Sequence, residues 1–177
     1  MKIYISGGCK NGKSMLAQHL AKKLAGDGPL YYIATMIPHD SEDNARIKKH
    51  IADRDGWGFE TLEQGRELLK CLDRADEKGT FLLDSVTALV QNEMFQDGKT
   101  DLTAGMRVSE DLYEFAERAG NVIMVSDYIF GDAEGYDMLT EKYRQALAMA
   151  DRTAKNCDLV VEVLTGNYIV HKGVLEL

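Results

Sequence analysis

Two rhythms of apolar and polar positions alternate along this chain. Short apolar runs occur at K-I-Y-I-S (2–6), L-Y-Y-I-A-T (30–35), T-F-L-L-D (80–84), N-V-I-M-V-S-D (121–127) and L-V-V-E-V-L (159–164). Longer stretches between them repeat their apolar residues every three or four positions, as in Leu16, Leu20 and Leu24. Continuous short runs fit strands covered on both faces, and the longer period fits helices that turn one stripe to a sheet. The pattern therefore predicts an α/β fold with a mostly parallel central sheet flanked by helices. Gly26, Gly28 and Pro29 end the first helix, which gives a strand-loop-helix-strand unit. Leu139, Tyr143, Leu147, Ala150 and Ala154 mark a later helix face. Thr165-Gly166-Asn167 between two apolar runs predicts a C-terminal hairpin whose last strand, Y-I-V-H, is antiparallel. The polar stretch from Gln96 to Gly105 reads as a mobile loop.

The loop after the first strand carries the clearest chemistry. Gly7, Gly8, Cys9, Lys10, Asn11, Gly12, Lys13 and Ser14 satisfy G-x-x-x-x-G-K-[ST], with a strand before them and a helix after. Glycines let successive backbone N–H groups converge on an anion without a Cβ in the way, and the following helix adds its positive end. Lys13 supplies a point charge for the β- and γ-phosphates, and Ser14 a hydroxyl for magnesium. This is a P-loop, and it makes the fold P-loop NTPase-like with ATP or GTP and Mg2+ as ligands. The second magnesium group should be an acid at the end of an apolar strand. Asp84 meets that description, with Asp127 as its rival and capping of the next helix as the plain structural role.

The chain after Pro38 reads H-D-S-E-D-N-A-R-I-K-K-H-I-A-D-R, a helix start followed by Ile47 and Ile51 as a buried stripe. Arg46, His50 and either Asp53 or Arg54 fall one turn apart on another face, with Lys49 beside them. Such a basic face is either merely solvated or meets phosphates, and an imidazole there is a candidate nucleophile.

Composition narrows the partners. The chain has 177 residues, 45% of them hydrophobic, enough for a single P-loop domain over residues 1–177. A net charge of −8 argues against general nucleic-acid binding, which needs clustered Lys and Arg. No apolar run approaches the roughly 20 residues of a membrane span. Cys9, Cys71 and Cys157 are odd in number and far apart, which favours a reducing cytoplasm and small buried or half-buried side chains.

Together these segments resemble the bifunctional adenosylcobinamide kinase/adenosylcobinamide-phosphate guanylyltransferases of cobalamin synthesis. The resemblance rests on the order and spacing of G-G-x-x-x-G-K-S at 7–14, Y-I-A-T at 32–35, A-R-I-x-x-H at 45–50, T-x-E at 61–63 and L-L-D-S-V-T-A-L-V-Q-N at 82–92. It implies that His50 takes GMP from GTP as a phosphoramidate and passes it to adenosylcobinamide phosphate. It further implies that Arg46 and Arg54 balance triphosphate charge, that Ala34 and Thr35 line the guanine-nucleotide site, and that Glu63 and Asp84 contact nucleotide or metal. A corrinoid substrate and a homotrimer are also implied. Two departures stand out: Asn11 replaces the family's usual serine, and Asp127, in S-D-Y-I-F-G, stands where the family carries the glutamate of Asn-Glu-Val-Gly. Later, Tyr143 and Arg144 keep the family pattern. The reading is thus a two-step phosphorus transferase, with Lys13, His50 and Asp84 as catalytic residues. The alternatives are a P-loop kinase of another small alcohol and a non-catalytic nucleotide-binding subunit.

Overall fold

A computed structural model describes residues 1–38, 40–96, 98–131 and 135–176; within the helix over 41–53 it leaves aside the side chains of 42, 44, 46, 49, 50 and 53. In chain order the elements are β1 (Lys2–Gly7), α1 (Lys13–Ala25), β2 (Leu30–Ala34), α2 (Ser41–Asp53), β3 (Glu60–Glu63), β4 (Thr80–Asp84) and α3 (Val86–Met94). There follow β5 (Phe95–Gln96), β6 (Lys99–Thr100), α4 (Ala104–Arg118), β7 (Asn121–Asp127), α5 (Met138–Ala150), β8 (Leu159–Leu164) and β9 (Asn167–Lys172). The main sheet runs β3-β2-β4-β7-β1-β8-β9. Its strands pair in parallel except β8 with β9, which are antiparallel.

The apolar runs are buried on both faces because helices cover both. On one face Leu16 and Leu20 of α1 pack on Ile3, Ile5, Leu82, Ile123 and Val161. On the other, Leu89, Leu112, Phe115 and Leu147 of α3, α4 and α5 pack on Tyr4, Phe81 and Met124. Each fully buried side chain of this size contributes roughly 1.5–3 kcal/mol, so these two layers hold the strand order. Local signals set the helix ends. Ser85 caps α3 by accepting from Ala88 N at 3.2 Å, and Asp137 caps α5 by accepting from Leu139 N and Thr140 N. The hairpin between β8 and β9 turns through Thr165 and Gly166, at φ 48° and 80°.

Three expectations are corrected. The stretch read as a loop from 96 to 105 is ordered in its described residues, 97 lying outside them: Gln96 pairs with Lys99 in the short β5–β6 ladder, and α4 already begins at Ala104. Asp101 makes this possible, accepting from Thr103 N at 2.8 Å and pairing with Arg107 at 2.7 Å. Ile47 and Ile51 do not form a buried stripe; Ile51 is 51% exposed, and Ile47 is half-buried against the cavity described below. Cys9 is exposed because it sits in the loop after β1, whereas Cys71 and Cys157 are buried. The strand β3 was also hidden in the sequence, since of its four residues only Leu62 is buried.

The sheet order reverses at β1, which lies between β7 and β8 although β2 lies three strands away. A crevice at the carboxyl ends of the strands forms at such a reversal, and ligands of open α/β sheets bind there.

Candidate active site

The loop after β1 opens into that crevice. Lys10 and Gly12 adopt left-handed backbone at φ 54° and 95°, and Gly12 is the N-cap of α1. Alternating hands of this kind aim successive N–H groups to one side, the concavity an anion needs. Gly7 is required for closeness: a Cβ there would overlap the carbonyl oxygen of Val163 at the end of β8. Asn11 ties the loop to the same place, donating from Nδ2 to Val163 O, so the residue that departs from the family pattern fastens the loop. Gly8, Cys9 and Lys10 are exposed at the rim, and Ser14 is half-buried at the second position of α1.

Lys13 is 6% exposed. Its Nζ donates to Gly8 O at 2.6 Å and pairs with Asp127 Oδ1 at 2.9 Å. Asp127 closes β7, in register with Gly7, and Tyr128 N donates to Gly7 O at 2.9 Å. A carboxylate thus sits at the mouth of the loop.

Beside the loop, two strands along the sheet, lies a cavity of about 450 Å3. Its base is a single row of the sheet: Ala34 of β2 pairs with Glu63 of β3 on one side and Asp84 of β4 on the other. All three line the cavity, together with Tyr32, Ile47 and Arg54. Arg54 is buried; its guanidinium lies 3.8 Å over the Tyr32 ring and donates to Thr61 Oγ1 at 3.2 Å. The Tyr32 hydroxyl donates to Asp84 Oδ2 at 2.9 Å. Burial, then the neighbouring Asp84 carboxylate, hold the Tyr32 phenol well above its usual range, so it remains a donor. Capping of α3 falls to Ser85, which leaves Asp84 directed at the cavity.

Thr35 is fully buried behind this wall. Its hydroxyl accepts from Ser85 N at 2.6 Å and donates to Ser85 O at 2.9 Å, bracing the turn after Asp84. Asn92 on α3 does similar work: its amide donates to Thr35 O at 2.7 Å and to Gly65 O at 2.9 Å, joining the turns that follow β2 and β3. His50, Arg46 and Lys49 belong to α2, and their side chains lie outside the described residues. By backbone position His50 is one turn after Ile47, which lines the cavity.

Sequence reading singled out Ala34, Arg54, Glu63 and Asp84 for this region, and they share one cavity wall. It missed Tyr32, Gln64 and Ser85 as lining residues and Asn92 as a brace. Of these, Asn92 left the clearest signal, a polar residue one helical turn or less from Leu89 and Val90 on α3, where it is buried together with Glu93.

Comparison with known proteins agrees with this fold. The solved structure of an ATPase domain superimposes with a TM-score of 0.59 at 12% identity, over 97% of this chain and 76% of that one. A KaiC-like protein from Pyrococcus horikoshii OT3 gives a TM-score of 0.52 at 12% identity, over 97% and 78%. At such identity these likenesses speak for the fold alone, a P-loop NTPase-like one. The bifunctional adenosylcobalamin biosynthesis protein CobP of Pseudomonas aeruginosa is 32% identical over 177 residues, 98% of each chain. The model of the cobinamide kinase / cobinamide phosphate guanyltransferase family matches residues 3–170. With its loop, its cavity and these matches in agreement, the chain belongs to the cobinamide kinase / cobinamide phosphate guanyltransferase family of cobalamin biosynthesis.

Proposed function

We propose that residues 1–177 form one nucleotide-binding domain that carries out both transfers on the corrinoid, the second through a covalent GMP on His50. In the first step the triphosphate of ATP or GTP lies in the loop of residues 7–14. The propanolamine hydroxyl of adenosylcobinamide attacks the γ-phosphorus, and the bond from that phosphorus to the bridging oxygen breaks, leaving the nucleoside diphosphate. Positioning and charge balance supply most of the acceleration of such a transfer. In the second step the imidazole of His50 attacks the α-phosphorus of GTP, pyrophosphate leaves, and the phosphate of the first product then displaces His50. The covalent adduct divides one hard displacement into two easier ones.

One observation carries the reading. The cavity of Ala34, Glu63 and Asp84 shares the carboxyl edge of the sheet with the P-loop, and Ile47 of the helix that bears His50 forms part of its wall. Two strand spacings, about 10 Å, separate β4 from β1, a span that a nucleotide bridges from base to phosphates. Arg46 and Arg54 belong to α2 and its end, where they would offset triphosphate charge.

Magnesium fits the available donors. Ser14 and Asp84 offer oxygens only, as a hard ion prefers, and Mg2+ needs just one or two protein ligands beside phosphate oxygens. Bound there, it would neutralise charge on the transferring phosphoryl group. The corrinoid substrate, a cytoplasmic setting and a homotrimer complete the proposal, the last by family resemblance.

The test is labelling. Incubation with α-labelled GTP should give an acid-labile, base-stable protein adduct, and His50→Ala should abolish it while phosphorylation of adenosylcobinamide continues. Label retained in His50→Ala would refute the role of His50.

A further inference from the structure

We propose that Asp127 competes with nucleotide phosphate for Lys13 and, once the triphosphate has taken Lys13, receives the proton of the acceptor hydroxyl in the kinase step. The inference rests on the reading of residues 7–14 as the triphosphate site.

An ammonium has three donors and no more. In the structure Gly8 O takes one at 2.6 Å and Asp127 Oδ1 another at 2.9 Å, with Asn11 Oδ1 at 3.5 Å on the Lys13 Nζ as well. A phosphate that reaches Lys13 must displace a partner or share it. Gly8 O belongs to the loop backbone and Asn11 is fastened to Val163 O, so the partner that yields is Asp127. The Asp127 carboxylate cannot go far. Its backbone N–H donates to Thr87 Oγ1 at 2.7 Å, and the Thr87 carbonyl accepts from the Tyr143 hydroxyl at 3.1 Å. The next residue is tied to Gly7 O. The freed carboxylate therefore stays beside the loop, next to where the γ-phosphate meets Lys13.

Exposure sets the direction of approach. The Lys13 side chain is 7% exposed but that of Asp127 is 36%, so the carboxylate faces the side from which an acceptor arrives. Tyr128 and Phe130, in edge contact at 5.7 Å between centroids, continue that side with an apolar surface suited to a hydrocarbon-rich acceptor. In the transfer the acceptor oxygen bonds to the γ-phosphorus and the bridging P–O bond breaks, its electron pair leaving with the nucleoside diphosphate. The hydroxyl proton goes to Asp127 and then to water. Asp84, two strands away, is left for magnesium.

The two parts of this role move two observables in opposite directions. Asp127→Asn removes the competitor, and a partly exposed ion pair is worth up to about 1 kcal/mol, so the dissociation constant for magnesium-GTP should fall roughly three- to fivefold. The same variant loses the proton acceptor, and kcat for phosphorylation of adenosylcobinamide should fall about 100-fold. Asp127→Glu, which restores the family's usual carboxylate, should keep at least a tenth of kcat. Binding by titration calorimetry and turnover by mass-resolved product, with wild type alongside, read both. Weaker binding in Asp127→Asn that excess magnesium restores would make Asp127 a metal ligand and overturn the inference. So would a kcat within twofold of wild type, or a glutamate variant as inactive as the asparagine. Wild-type protein that binds neither GTP nor ATP would instead sink the P-loop reading itself.

Discussion

Replacing Asn92 by alanine should unfasten the cavity wall from behind. Asn92 is 7% exposed, and its amide satisfies two backbone carbonyls, Thr35 O at 2.7 Å and Gly65 O at 2.9 Å. A typical hydrogen bond is worth about 1 kcal/mol net, and a buried acceptor left without a donor costs about 1–3 kcal/mol. Gly65 lines the cavity, so water reaches its carbonyl and offsets part of that cost, whereas Thr35 is fully buried. The sum is about 2–4 kcal/mol of stability, or a Tm lower by roughly 4–16 °C for a chain of this size. The site feels the change too. Thr35 braces Ser85, and Gly65 stands against Ile37 at the cavity, so both turns lose their common anchor. We expect guanine-nucleotide affinity to fall about tenfold, equal to about 1.4 kcal/mol of lost preorganisation. Urea melts and calorimetric titration with GTP measure the two effects. Asn92→Leu separates the causes, because leucine fills the space but donates nothing. If Asn92→Leu recovers wild-type stability and affinity, packing and not the amide holds the wall, and the reasoning fails.

Two further outcomes follow from the loop and the core. Gly7→Ala places a Cβ on the Val163 carbonyl oxygen and against the Asn11 amide, and a backbone atom cannot yield as a flexible side chain does. The cost should be about 3 kcal/mol, the upper end for overpacking, with nucleotide binding lost; thermal melting and titration with ATP check both. Asp151→Asn tests a half-buried carboxylate beside the same strands. Asp151 accepts from the Tyr4 hydroxyl and from Ser126 Oγ at 2.9 Å. Burial raises its carboxyl above the usual value, the two hydrogen bonds oppose that, and the Asp127 charge adds to it. The native state therefore holds this proton more tightly than the unfolded chain. The stability it confers is present in acid and is lost as pH rises from about 4, the unfolded value, through the raised native one. Asparagine keeps an acceptor without the charge, so the variant should gain on wild type as pH rises above about 4 in urea melts. A gap that narrows with rising pH would contradict this.

The P-loop was legible because its physics is local: positive-φ glycines, a lysine and a hydroxyl in fixed order between a strand and a helix. Asp84 was legible for a similar reason, as an acid ending an apolar run. Glu63 could be named only through family resemblance, since β3 exposes three of its four residues and carries almost no pattern; Ala34 ends the legible strand β2, but its methyl carries no chemistry that would mark it as a site residue. The 96–105 stretch was misjudged because its order comes from Asp101 reaching Thr103 and Arg107, side-chain bonds that composition does not reveal.

The apolar periods and the glycine spacing by themselves determined a parallel α/β sheet, a phosphate loop after the first strand and an antiparallel closing hairpin. Those features depend on neighbours within a few residues. Only the tertiary structure decided that β7, not β4, lies against β1, and so that Asp127 and not Asp84 meets Lys13. Strand order is chosen by which helices cover which face, a balance of burial over the whole core. No local run of residues encodes it.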